Sequence, residues 1–308
     1  MRYGDNDGGQ PGAVATVQRQ LVQLGYRLDR YGCDGSLGDE TWAALEAFAK
    51  AQMGRRAWNP EVPAAVLEAL GAAQKPPAPD PSAPLPGPVP GASVVDLRHE
   101  QTDPAPKTKV VNGKTVRRAP HTVTALVLHQ TACTFGVSNQ QIQAAGGDRS
   151  LALHRRALNV ACHALAFRDG TAVIANDPAS YVFHANTINA QSIGLEIEGR
   201  FPGDDSQPDA TTWGGDPTPL TEELIAAGRE GARRLVELSR EAGIEITEVY
   251  AHRQSSSSRR SDPGQSIWQR IGLEYCVAVL GLKPRQSFAT NGGRPIPTEW
   301  DPDGVGRY

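Results

Sequence analysis

The sequence predicts a mixed-sheet α/β domain flanked by helices, preceded by a small all-α three-helix bundle and a proline-rich linker. Three observations carry this prediction. Apolar residues recur at helical spacing up to about residue 72. Residues 76–90, PPAPDPSAPLPGPVP, hold eight prolines in fifteen positions. From about residue 92 onward, short β-prone runs alternate with helical patterns, as in α/β folds. The division is 1–75 bundle, 76–91 linker, 92–283 α/β domain and 284–308 an aperiodic tail.

The elements follow in chain order. Val14, Val17, Leu21 and Leu24 mark one face of a first helix, closed by Gly25. After the turn-rich DRYGCDGSLG, Asp39 caps a second helix whose inner stripe is Trp42, Leu45, Phe48 and, next in register, Gln52. Val62, Val66 and Leu70 predict a third. This bundle has no histidine, and its carboxylates sit at caps and solvent faces. Proline fixes φ and lacks an N–H, so 76–90 reads as a polyproline spacer of about 3.1 Å per residue, on the order of 45 Å.

In the larger part, Asn112-Gly113 between β-prone runs predicts a type I′ hairpin. VTALVLH (123–129) reads as a buried strand, 148–158 as a helix, and 163–174 as a hairpin around Asp169-Gly170. SIGLEIEG (192–199) is another strand and 202–219 a long Gly/Pro/Asp-rich loop, a length often tied to function. A helix is predicted from Thr221 to Ala242 with Leu224, Gly231, Leu235 and Leu238 inward; EITEVYAH is a strand and Ser266–Leu280 a last helix.

Composition narrows the function. Lys plus Arg total 31 and Asp plus Glu 34, a net charge of −3. Nucleic-acid binding by phosphate neutralisation needs a basic surplus, which is lacking. No apolar run approaches the ~20 residues that span a bilayer, and MRYGDNDGGQPG lacks the n- and h-regions of a secretory signal. The expectation is a chain made in the cytoplasm, without membrane insertion. Cys33, Cys133, Cys162 and Cys276 are scattered with no CxxC, and read as reduced core thiols.

Three histidines end or follow apolar strands: His129 (ALVLHQ), His184 (YVFHAN) and His252 (VYAHRQ). Imidazoles between core and solvent suit a first-row metal, although a lone strand-end histidine is more often structural. Ten residues past His252, Pro263-Gly264 can hold the Asp262 carboxylate in a turn. Two His and one Asp would leave a fourth zinc position open, the catalytic pattern. Glu196 and Glu198, two apart on a strand, point to the same side. A carboxylate there is costly unless paired or catalytic; the plainer reading is one paired and one solvated glutamate.

In order, ALVLHQTA, CHALAFRDG, FHAN, QSIGLEIEG and AHRQ with RRSDPG resemble the zinc-dependent N-acetylmuramoyl-L-alanine amidases. That group includes phage lysozyme-type amidases and shares its fold with animal peptidoglycan-recognition proteins. The resemblance spans about 94–282. VQRQLVQLGY and DGSLGDETWAALEAF, within 12–72, resemble the three-helix peptidoglycan-binding domain. The resemblance implies one Zn2+ per chain on His129, His252 and Asp262, with Glu196 as general base. Arg260 stands where relatives carry an oxyanion-stabilising Lys, His184 matches a substrate-side or supporting residue, and His163 a buried support. Some relatives use a Tyr where this chain has Cys162, which leaves the base role to Glu196.

The implied reaction is cleavage of the amide between the lactyl group of N-acetylmuramic acid and L-alanine. The implied partner is peptidoglycan, and the chain is expected to be a monomer. The alternative implied by the same family is a protein that recognises peptidoglycan without cutting it. A wall-cutting enzyme without a signal fits a phage or prophage endolysin, or an effector delivered by a phage-like contractile-injection or secretion apparatus. An anchor module disfavours recycling of soluble fragments. Docking of the N-terminal bundle to a protein partner is the remaining alternative for that part.

Overall fold

The fold was taken from a computed structural model, which describes residues 1–8, 12–24, 26, 28, 33–54, 61–72, 84–102, 105–203 and 216–301. Gly25, part of the turn 29–38, the linker's first half, most of the 202–219 loop and the last seven residues lie outside the described residues. The chain divides into two units, the larger being Pro81–Trp300.

The N-terminal unit is built on α1 (Ala13–Gln23), α2 (Asp39–Met53) and α3 (Ala64–Ala72). Val14, Val17, Leu21, Leu24, Leu45, Phe48, Val62, Val66 and Leu70 all enter its core. Gln52 does not: it is exposed, and Met53 packs on the core instead. Gly12, at the N-cap of α1, brings no capping side chain. The Asp7 carboxylate supplies the cap from outside, accepting from Val14 N–H at 3.3 Å and Ala15 N–H at 2.8 Å.

The larger unit is a seven-stranded sheet flanked by helices. Its strands are β1 (Ser93–Asp96), β4 (Ala125–Gln130), β5 (Ala164–Ala166), β6 (Thr171–Ile174), β7 (Ser192–Ile197), β8 (Glu248–Ala251) and β9 (Lys283–Pro284). A separate hairpin joins β2 (Val110–Val111) to β3 (Lys114–Thr115). Asn112 at φ 51° and Gly113 at φ 75° form its turn, the pair of positive φ values that a type I′ turn requires. The sheet order is β1-β6-β5-β7-β4-β8-β9, parallel except for the β5/β6 hairpin. All six residues of β4 are buried, as expected of a central parallel strand.

The long helix, Glu222–Glu241, is capped by Thr221, whose hydroxyl accepts from Leu224 N–H at 3.3 Å. It lies close on the sheet because two glycines face it. A Cβ on Gly228 would stand 2.4 Å from Ile271 and 3.0 Å from Ile197, and one on Gly231 3.0 Å from Leu195. Leu195 and Ile197 therefore point to this helix. By the period of two, Gly194 and Glu196 point to the opposite face. That face carries the site.

Four expectations are refined. The 148–158 segment is helical only at Arg149–His154, capped by Asp148, and tightens into a 3-10 turn at Arg155–Asn159. Ser266–Leu280 is a short α-turn, Gln265–Ile267, running into a π-helix, Trp268–Val277. The described part of the proline-rich segment lies on the long helix: Val89 N–H donates to Glu230 at 2.9 Å, filling an acceptor of a carboxylate buried with Arg233. All four cysteines are free; Cys33 is exposed, not a core thiol.

Candidate metal centre

Three adjacent parallel strands place the central side chains. β4 pairs with β7 so that His129 faces Glu196, and with β8 so that Leu128 faces Ala251, leaving His252 next in line. Glu196, His129 and His252 thus form a row across neighbouring strands, spaced ~4.8 Å by the sheet itself. The row lies towards the carboxyl ends of the strands, where open α/β sheets bind ligands. Asp262 arrives from a loop. Its backbone carbonyl accepts from Arg253 N–H and its Oδ1 from Gln130 N–H, both at 2.9 Å. The Asp262–Pro263 bond is cis.

The donors converge. His129, His252 and Asp262, all buried, offer ligand atoms within 4.8 Å of one another. His129 Nδ1 is 2.9 Å from His252 Nδ1, and His252 Nδ1 is 3.0 Å from Asp262 Oδ2. Glu196 Oε1 stands 4.0 Å from His129 Nδ1. Two imidazole nitrogens and a carboxylate this close repel through their lone pairs unless a proton or cation lies among them. A divalent metal fits that donor set.

Hydrogen bonds on the far side select the tautomer. His129 Nε2 lies 3.1 Å from His184 Nδ1, and His184 Nε2 lies 3.2 Å from the Ser192 carbonyl. A carbonyl only accepts, so His184 keeps its proton on Nε2 and accepts at Nδ1 from His129. That leaves His129 Nδ1 as a bare lone pair facing His252. Gly194 makes room: a Cβ there would be 2.6 Å from His184 Nδ1. His163 stands behind, accepting at Nδ1 from Gly194 N–H at 3.0 Å, with Nε2 3.1 Å from the Ser180 carbonyl. Burial holds His129 and His163 well below the ordinary histidine value and His184 at about 3. Neutral rings are what a metal needs.

Burial pushes Glu196 well above the usual carboxylate range; the Asp262 charge adds to this and Arg259 opposes it. Its Oε2 has no hydrogen-bond partner among the described residues. Glu198 proves to be the structural glutamate. It is buried past the strand end, accepting from Phe135 N–H at 2.7 Å and Arg168 N–H at 2.9 Å. The Cys162 thiol, fully buried, is pushed well above its ordinary value by burial and then by Glu196, so it stays protonated.

Arg260 is exposed, and Arg259, half-buried on the same turn, has a guanidinium charge that bears on both His129 and Glu196. Neighbouring residues of a turn point in different directions, and the motif alone could not say which faced inward. Two further residues escaped the sequence reading. Gln130 clamps the loops around Asp262: its side chain accepts from Phe201 N–H at 2.7 Å and donates to the Phe201 and Ser261 carbonyls. Arg118 is buried and donates to the carbonyls of Pro178, Asn189 and Ser192, and burial lowers it to about 10. In the string RRAP it reads as a surface cation, and no local signal marks it.

The fold and site together give an α/β domain in which three buried donors that could hold a metal ion stand beside a carboxylate. Residues 119–265 match the family model described as N-acetylmuramoyl-L-alanine amidase. No curated protein sequence matches the chain. Among solved structures, the endolysin amidase LysCS from Clostridium intestinale is similar at 17% identity and TM-score 0.35, over 62% of this chain and 97% of its own. The Ph2119 endolysin from a Thermus scotoductus bacteriophage is 16% identical, over 57% of this chain and 97% of its own, with a TM-score of 0.34. Drosophila PGRP-LB is 15% identical, over 57% and 93%, with a TM-score of 0.35. Among the described residues no helix is long and apolar enough to cross a membrane.

Proposed function

We propose that the chain is a peptidoglycan hydrolase that cuts the amide between N-acetylmuramic acid and L-alanine, with one zinc ion held by His129, His252 and Asp262. The observation that carries this reading is the convergence of those three donors beside Glu196. A zinc ion there supplies Lewis acidity, polarising the scissile carbonyl and acidifying a water. Glu196 takes the proton of the attacking water, its Oε1 standing 4.0 Å from His129 Nδ1. As the C–N bond breaks, the same carboxyl hands that proton to the leaving amine of L-alanine. Arg259 offsets the negative charge that develops on the carbonyl oxygen. His184 holds His129 in its ligating tautomer, and His163 supports His184 from behind. The N-terminal unit, with no histidine, is proposed to hold the enzyme on the wall.

The test is digestion of purified sacculi with and without a chelator, read by mass spectrometry. Chelator-sensitive release of free stem peptides, with glycan strands intact, is the expected result. Sacculi that bind the protein but stay uncut with zinc present would make it a recognition protein instead.

A further inference from the structure

The segment after the last helix has no periodicity and lies beyond the residues that match the family model, yet it is ordered around the site. After β9 it crosses the outer side of the 252–256 turn. Gln254, fully buried, is the hub. Its Nε2 donates to the carbonyls of Arg285 at 2.6 Å and Phe288 at 3.0 Å, and its Oε1 accepts from Ala251 N–H at 2.8 Å. Its own carbonyl accepts from Thr290 N–H, and that of Arg253 from Arg294 N–H, both at 2.8 Å. The Arg253 guanidinium lies 4.7 Å from the ring centre of Trp300, which is itself fully buried. Gly293 passes so close that a Cβ would be 2.4 Å from the Gln254 carbonyl.

These contacts fall on the residues that follow His252. Arg253 also binds the Asp262 carbonyl through its N–H. Ala251, Arg253 and Gln254 bracket one donor, and Arg253 reaches the backbone of another. We propose that residues 285–300 form a positioning strap for the metal centre, with Trp300 and Gln254 as the positioning residues that fix the His252 turn. The inference rests on the metal assignment above, and it gives a role to a tail that the sequence left unread. A donor on a turn loses affinity when the turn gains freedom, because binding must then restore the order. Strand pairing fixes His129 within β4, whereas His252 stands one residue past the paired end of β8, on a turn that the strap contacts from outside.

The experiment measures zinc affinity of the full chain by competition with a chromophoric chelator, and Tm of the metal-free forms. Trp300→Ala is expected to weaken zinc by ~10–100-fold, the range found when groups behind a ligand are removed. Trp300→Phe keeps an aromatic face for Arg253 and should restore most of that loss. Leu235→Ala, in the long helix behind the sheet, should lower Tm yet leave zinc affinity unchanged. Gly293→Ala, which pushes the strap off Gln254, carries the same test if Trp300→Ala fails to fold. Wild-type affinity in both strap variants would overturn the proposal, and so would an equal loss in Leu235→Ala. A wild-type chain that takes up no zinc, or binding that survives His129→Ala, would overturn the metal assignment and the strap with it.

Discussion

His129 and His184 meet edge to face, ring centres 5.2 Å apart, with Nε2 of the first against Nδ1 of the second. This contact decides which nitrogen of His129 faces the metal pocket. Replacing His184 with Phe leaves the His129 N–H buried and unpaired and frees the ring to turn. Zinc affinity of His184→Phe should fall by ~10–100-fold, measured by chelator competition. Gly194→Ala should act in the same direction, by pushing His184 out of place.

Glu196 holds none of the three donor positions. Glu196→Ala should therefore abolish turnover, a loss of ~10²–10⁴-fold or more, while keeping one zinc per chain. Metal analysis beside a sacculus assay separates the two effects. Loss of zinc in this variant would make Glu196 a ligand and not the base.

The two arginines of the RRSDPG turn should behave differently. Arg259→Ala should cost on the order of 10²–10³ in kcat, as removal of an oxyanion donor does. Arg260→Ala, on the exposed side, should leave kcat within severalfold. Equal losses, or the reverse order, would restore Arg260 to the role that the motif implies.

His163 makes stability depend on pH with a definite sign. Its folded-state pKa is depressed well below 6.5 by burial and then by Arg118 and His184. Above 6.5 the ring is neutral in both states and the stabilisation is fully present. Below it, the unfolded chain takes up the proton first. Stability is then lost as pH falls from 6.5 towards the folded value, by up to about 1.4 kcal/mol per pH unit. His163→Asn keeps an acceptor for Gly194 N–H but does not titrate. Urea unfolding of the metal-free forms at pH 7, 6 and 5 should show a shallower decline in this variant.

Much was legible locally. The 3.6-residue stripes of the N-terminal helices, the Asn112-Gly113 turn, the β5/β6 hairpin and the Thr221 cap are written in short-range chemistry, which a single sequence exposes directly. The ordered motifs also named the residues that gather at the site. The strap was not legible, because its order comes from bonds to Gln254 and Arg253, roughly thirty to forty residues away, and leaves no period of its own.

What the sequence by itself determined is therefore the set of elements, and the histidines and carboxylates at strand ends. What only tertiary structure decided is their row across β7, β4 and β8, the tautomer of His129, the half-buried place of Arg259 beside an exposed Arg260, and the strap on His252. The physical reason is the range of the forces involved. Propensity, capping and turn geometry act within a few residues, whereas strand register and buried hydrogen bonds join residues more than a hundred positions apart, as His129 and His252 are.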